Sequence, residues 1–68
     1  MTAIKMFKEL GYEYSKETDR NIFIKYYNEE GNQFVFWIDE QEFSASVYSI
    51  TVDEFKAIQQ QMRELGWI

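Results

Sequence analysis

The stretch from Asn21 to Ser49, "NIFIKYYNEEGNQFVFWIDEQEFSASVYS", decides the fold of this chain. Apolar and aromatic residues alternate with others along three runs within it, which is the period of a strand and not of a helix. In the first run Ile22, Ile24 and Tyr26 point one way, while Phe23, Lys25 and Tyr27 point the other. The segment "NEEGN" at 28–32 places Gly31 where a three-residue hairpin loop wants a left-handed residue. With Asn28 facing Asn32, Ile24 lies opposite Phe36 and Phe23 opposite Trp37. "DEQE" at 39–42 turns the second run into the third, most simply with Ile38 opposite Phe43. This register gathers Ile22, Ile24, Tyr26, Phe34, Phe36, Ile38, Phe43, Ala45 and Val47 on one face. A slip of one residue would scatter them over both faces, so a sheet with one buried side specifies its register strongly. The stretch predicts a three-stranded antiparallel meander.

Outward from the meander, both flanks read as helices. Ala3, Met6, Phe7 and Leu10 recur at the spacing of an amphipathic helix, with Thr2 as N-cap and Gly11 as its stop. The following "YEYSKETDRN" is polar and turn-rich, and residues 12–15 at its start extend as a short extra edge strand. After the meander, "ITVDEFKAI" carries a capping box of Thr51 and Glu54, with Ile50 and Phe55 at the positions of a hydrophobic staple. From there Phe55, Ile58, Met62 and Leu65 form the predicted apolar stripe of a helix running from about Val52 to Leu65. Glu-Leu-Gly-aromatic occurs twice, ending in Tyr12 and in Trp67. In each copy the glycine sits at C′ and the aromatic at C″, placed to pack on C3, which pairs Tyr12 with Phe7 and Trp67 with Met62. Nothing between the copies repeats, so the motif reads as a helix-stopping device used twice.

The order is helix, three strands, helix. Three apolar surfaces are buried together if both helices pack on the same sheet face, which predicts an α+β two-layer sandwich. With no proline and no Gly/Ser linker, residues 1–68 read as a single domain.

Composition narrows the function. At 68 residues, 46% of them hydrophobic and 19% aromatic, the chain must hold itself together by a dense core. There is no cysteine for a disulfide or a thiolate metal site, and no histidine for the commonest general base or metal ligand. Ser44 and Ser46 therefore lack an activating partner, and the three glycines are absorbed by helix ends and a hairpin. Glu29, Glu30, Asp39, Glu40 and Glu42 gather at turns in a spacing that matches no calcium loop, and read as solvated gatekeepers of the sheet edges. No enzymatic role, cofactor or metal is expected. A net charge of −5 disfavours nucleic acid and anionic membranes as partners. The N-terminus, "MTAIKMFKEL", has no continuous apolar region, and the longest apolar run, "FVFWI", is too short to span a bilayer, so the expected location is the cytoplasm.

What remains is the other face of the meander: Phe23, Lys25, Tyr27, Gln33, Val35, Trp37, Ser44, Ser46 and Tyr48. Solvated sheet faces are rarely this aromatic, which makes Phe23, Lys25, Tyr27, Val35, Trp37 and Tyr48 the candidate interaction residues. Three readings stand side by side. Phe23 and Trp37 are a cross-strand pair that stabilises a small sheet; the face binds a protein partner or a second copy of itself; or its rings stack the bases of single-stranded nucleic acid, with Lys25 as the only cation on it.

The pattern "FKELGYEY", the strand patterns in the middle, and above all "ITVDEFKAIQQQMRELGW" resemble small uncharacterised proteins encoded by phages and prophages of Gram-positive (Firmicute) bacteria. The resemblance covers nearly the whole chain and supplies no catalytic residue or ligand. It implies a small accessory protein in a bacterial cytoplasm that binds a host or phage protein. One version is an acidic mimic of nucleic acid that occupies a host DNA-binding protein.

Overall fold

The structure, a computed structural model, describes residues 1–68. Helix α1 (Ala3–Glu9) is followed by strands β1 (Glu13–Glu17), β2 (Phe23–Tyr27), β3 (Gln33–Trp37) and β4 (Glu42–Ser46), and by helix α2 (Val52–Glu64). The fold is α+β, with a four-stranded antiparallel sheet in the order β1-β2-β3-β4. The expected meander of three strands thus gains a fourth at its edge. β1 reaches to Glu17, beyond the anticipated 12–15, because every residue from Glu13 to Glu17 finds a partner on β2. Its own side chains announce it weakly, since only Tyr14 is an apolar residue turned inward, its ring 5.6 Å from that of Tyr26.

The β2–β3 hairpin has the expected register, with Ile24 opposite Phe36 and Phe23 opposite Trp37. Gly31 takes φ 88°, and Asn28 Oδ1 accepts from the amides of Glu30 and Asn32, which fixes the loop. The β3–β4 register differs from expectation. Phe43 faces Phe36, not Ile38, and Trp37 faces Glu42. The loop is still four residues, but it occupies Ile38–Gln41, so β4 slides by two positions along β3. A two-residue slide preserves which face each side chain takes, so the inward set survives. The slide sets the Phe43 ring 5.0 Å from Phe36 and stacks it on Phe34 at 6.3 Å. Gln41 adopts a left-handed φ of 55° to close the turn, a cost that this aromatic packing offsets.

Both helices pack on the inner face, where Phe7, Tyr12, Ala57 and Ile58 join Ile24, Tyr26, Phe34 and Phe36 in one core. The Phe7 ring stacks on Tyr26 with centroids 3.9 Å apart. Two glycine stops build that packing. At Gly11 (φ 91°) the Tyr12 amide donates to the Phe7 carbonyl and Gly11 to Lys8; at Gly66 (φ 77°) Trp67 donates to Met62 and Gly66 to Arg63. These are paired Schellman closures. Tyr12 meets Phe7 edge-on at 5.6 Å, while Trp67 reaches past the helix end to within 6.2 Å of Phe36.

The α2 stripe keeps Ile58, Met62 and Leu65 of the one expected but is turned toward Ala57 and Gln61, so that Phe55 leaves it. Ala57, Ile58 and Gln61 are buried, whereas Phe55 is 53% exposed and Met62 only partly covered. Glu54, Ala57, Ile58, Gln61, Met62 and Leu65 make the inward side, at helical spacings of three, one, three, one and three. Two tyrosine hydroxyls account for the rotation. The Tyr26 hydroxyl donates to Gln61 Oε1 (2.5 Å), and that of Tyr12 donates to Glu54 Oε2 (2.6 Å). An unpaired buried hydroxyl costs about 1–3 kcal/mol, of the same order as the burial that Phe55 forgoes, and this turn of the helix gives both hydroxyls an acceptor. Glu54 also closes the capping box, with Oε1 accepting from the Thr51 amide (2.9 Å) and Thr51 Oγ1 accepting from the Glu54 amide (3.0 Å). One carboxylate therefore starts α2 and ties it to the end of α1. At the other end Glu64 Oε2 accepts from the Ala3 amide (2.8 Å), which sets the two helices antiparallel.

Candidate interaction surface

The pairing of four strands arranges the outward side chains in three cross-strand rows. Glu13, Tyr27, Gln33 and Ser46 form the first; Ser15, Lys25, Val35 and Ser44 the second; Glu17, Phe23, Trp37 and Glu42 the third. The expected face residues Phe23, Lys25, Tyr27, Gln33, Val35, Trp37, Ser44 and Ser46 are thus brought together. Tyr48 is not among them. β4 ends at Ser46, and Tyr48 stands in the connection to α2, fully exposed at 103%. The earlier slide of β4 explains this, because its paired residues are used up two positions sooner.

Within the face, Phe23 and Trp37 meet edge-to-face with centroids 5.1 Å apart, each half-covering the other. Lys25 Nζ lies 5.4 Å from the centre of the Tyr27 ring, a cation–π contact inside the middle of the sheet. β1 adds residues that the sequence reading left out of the face: Glu13, Ser15 and Glu17. Three carboxylates and one lysine consequently share it. The alternation of "EYSKE" is the signal that could have placed them, had residues 13–17 been read as a full strand.

The carboxylates do not converge. No three acidic side chains approach one another closely enough to hold a metal ion. The groups whose ionisation the fold perturbs lie on the opposite, buried side. Burial and the hydrogen bond to Glu54 push the Tyr12 phenol up to about 12, against an opposing hydrogen bond with Asn32, and the charges of Glu54 and Glu30 add to the rise. Burial, with the charges of Tyr14 and Glu64, raises Tyr26 further still. Both stay neutral donors, which suits structural bonds and not proton transfer.

A second exposed apolar group was hidden from the sequence reading. Ile50, Val52 and Phe55 stand open around the start of α2, as does Tyr48 in the connection before it. Of the three, Phe55 was expected in the inward stripe, and the turn of α2 leaves it outside. No helix is long and apolar enough to cross a membrane. Compared with protein families, curated proteins and solved structures, the chain matches none of them.

Proposed function

We propose that this chain is a non-enzymatic accessory protein of phage or prophage origin, working in the bacterial cytoplasm as a protein-interaction module through the outer sheet face. The observation that carries the reading is the edge-to-face pair Phe23–Trp37 beside Tyr27, on a face that neither helix covers. Trp and Tyr anchor interfaces because they desolvate a large area at low cost in side-chain entropy. A sheet this small needs no second aromatic layer for its core, which is complete on the inner side. The phage context rests on the resemblance of the sequence, most specifically of its C-terminal pattern.

Glu13, Glu17 and Glu42 surround the rings while Lys25 is the only cation among the outward strand residues. A protein partner therefore suits the face better than single-stranded nucleic acid, whose phosphates those carboxylates repel. The test is affinity capture from host lysate with wild type beside a Trp37→Ser, Tyr27→Ser double variant, together with light scattering after size exclusion. A partner, or a dimer, retained by wild type and lost in the folded variant supports the reading. Equal capture by both, with a monomer throughout, removes it.

A further inference from the structure

Resting on that reading of the face, we infer that its partner presents a cationic segment, an arginine- or lysine-rich stretch of another protein, to the row Glu17–Phe23–Trp37–Glu42. The row places two rings side by side with a carboxylate at each end, spanning on the order of 14 Å across four strands. A guanidinium or ammonium group lying on an indole is attracted by the ring's negative face, and a carboxylate within reach completes its pairing. The same face already shows this preference internally, because its one lysine settles on Tyr27. Trp37, the better cation acceptor of the two, has no such cation of its own.

Charge is concentrated at the same end of the sheet. The segments Glu17–Asn21 and Ile38–Glu42 hold both loops next to this row, and they carry five carboxylates against one cation, Arg20. Four of the chain's five net negative charges thus gather there. Glu17 is held in place, with Oε1 accepting from the amides of Thr18 and Asp19 at 3.0 and 3.1 Å, while the Glu42 carboxylate accepts no hydrogen bond. An open pocket of about 230 Å³ lined by Glu17, Asp19, Arg20, Asn21 and Phe23 adjoins the row and admits a side chain of guanidinium size. A second copy of this chain is the poorer occupant, because it would bring the same acidic end to the contact.

The experiment titrates ¹⁵N-labelled protein with an (Arg-Gly)₄ peptide, the matching (Gln-Gly)₄ and (Glu-Gly)₄ peptides, and an apolar (Leu-Gly)₄ peptide, and separately raises the protein's own concentration. The indole N–H signals separate Trp37 on the row from Trp67, packed against the core on the other side of the sheet. Saturable shifts of the Trp37 indole and of the Phe23, Glu17 and Glu42 amides with the arginine peptide alone, weakened by salt, are the expected result. The variant Glu17→Gln, Glu42→Gln keeps an amide oxygen to accept the Thr18 and Asp19 bonds, and should weaken arginine binding about fivefold. Glu29→Gln, Glu30→Gln removes the same charge at the opposite end of the sheet and should weaken it much less. Trp37 shifts only with the leucine peptide or with concentration would overturn the cationic partner and leave the face reading intact. No response at Trp37 to any probe would overturn both. Equal weakening by the two glutamine variants would reduce the effect to net charge and overturn the row as the site.

Discussion

In β2 and β3 the buried residues Ile24, Tyr26, Phe34 and Phe36 alternate with Phe23, Tyr27, Val35 and Trp37, which stay in reach of solvent. Both sets are rich in rings, yet their surroundings differ. On the inner side every ring has a neighbour from a helix or another strand, and the Tyr26 hydroxyl is satisfied by Gln61. On the outer side Phe23 and Trp37 meet each other and Tyr27 meets Lys25, and the rows around them end in Glu13, Glu17, Glu42 and small polar residues. Aromatic content alone does not make a core. What makes one is a layer that covers it and acceptors placed for its polar atoms.

The sharpest way to break that comparison is to remove one ring from each side. Phe36→Ala should cost about 3–5 kcal/mol, a large share of the roughly 5–15 kcal/mol that holds a small domain folded. Trp37→Ser, on the residue next to it, should cost roughly 1 kcal/mol or less. Urea denaturation measures both, and equal losses would mean that the outer face is buried in the working protein.

A smaller effect is expected from the polar pair inside the core. Tyr26→Phe leaves Gln61 Oε1 without its donor and should cost about 1–3 kcal/mol. Adding Gln61→Leu should recover part of that loss, since replacing both partners leaves nothing unpaired. A double-mutant cycle with simple additivity would show that the bond does not set the rotation of α2.

Alkaline pH tests the same hydroxyls without a mutation. Tyr12 and Tyr26 are raised above the ordinary tyrosine value of 10.0, Tyr12 to about 12, so the fold favours their neutral forms. The contribution of Tyr12 is whole below pH 10.0 and is lost as pH rises through its folded value of about 12, and that of Tyr26 is lost at higher pH still. Circular dichroism should report unfolding in that window, and Tyr12→Phe should move its midpoint upward. An unmoved midpoint would detach Tyr12 from the alkaline transition.

The last expected effect concerns closure of the inner face by Trp67. A Cβ on Gly66 meets nothing within 4 Å, so Gly66→Ala carries only the cost of a left-handed φ, roughly 1–2 kcal/mol. Deleting Gly66 to Ile68 removes Trp67 as well and should lower the melting temperature further than the substitution. Equal melting temperatures would mean that Trp67 contributes nothing to the core.

Much of this molecule was legible in its sequence where the signal spans few residues. Thr51 and Glu54 lie three apart, Gly31 lies inside one loop, and Gly11 and Gly66 each sit beside the helix they stop. The β2–β3 register followed from one short loop joining two strongly alternating runs. β1 was half legible because its inward side chains, apart from Tyr14, are polar or charged. The candidate face was legible in Phe23, Lys25, Tyr27, Val35 and Trp37, whose strands were well marked. It was misread at Tyr48, whose membership depended on where β4 stops pairing, and it lacked Glu13 and Glu17, which belong to the strand with the weakest pattern.

The sequence by itself determined the identity of the helices, the central strands and the side of the sheet that is apolar, because capping, hairpin closure and period-two alternation act between near neighbours. Only the tertiary structure decided the slide of β4, the turn of α2 that exposes Phe55, and the carboxylates that frame Trp37. The bonds that fix α2 join residues 35 and 42 positions apart, Tyr26 to Gln61 and Tyr12 to Glu54. Hydropathy patterns count apolar residues along one element and carry no information about a hydroxyl elsewhere in the chain that needs an acceptor.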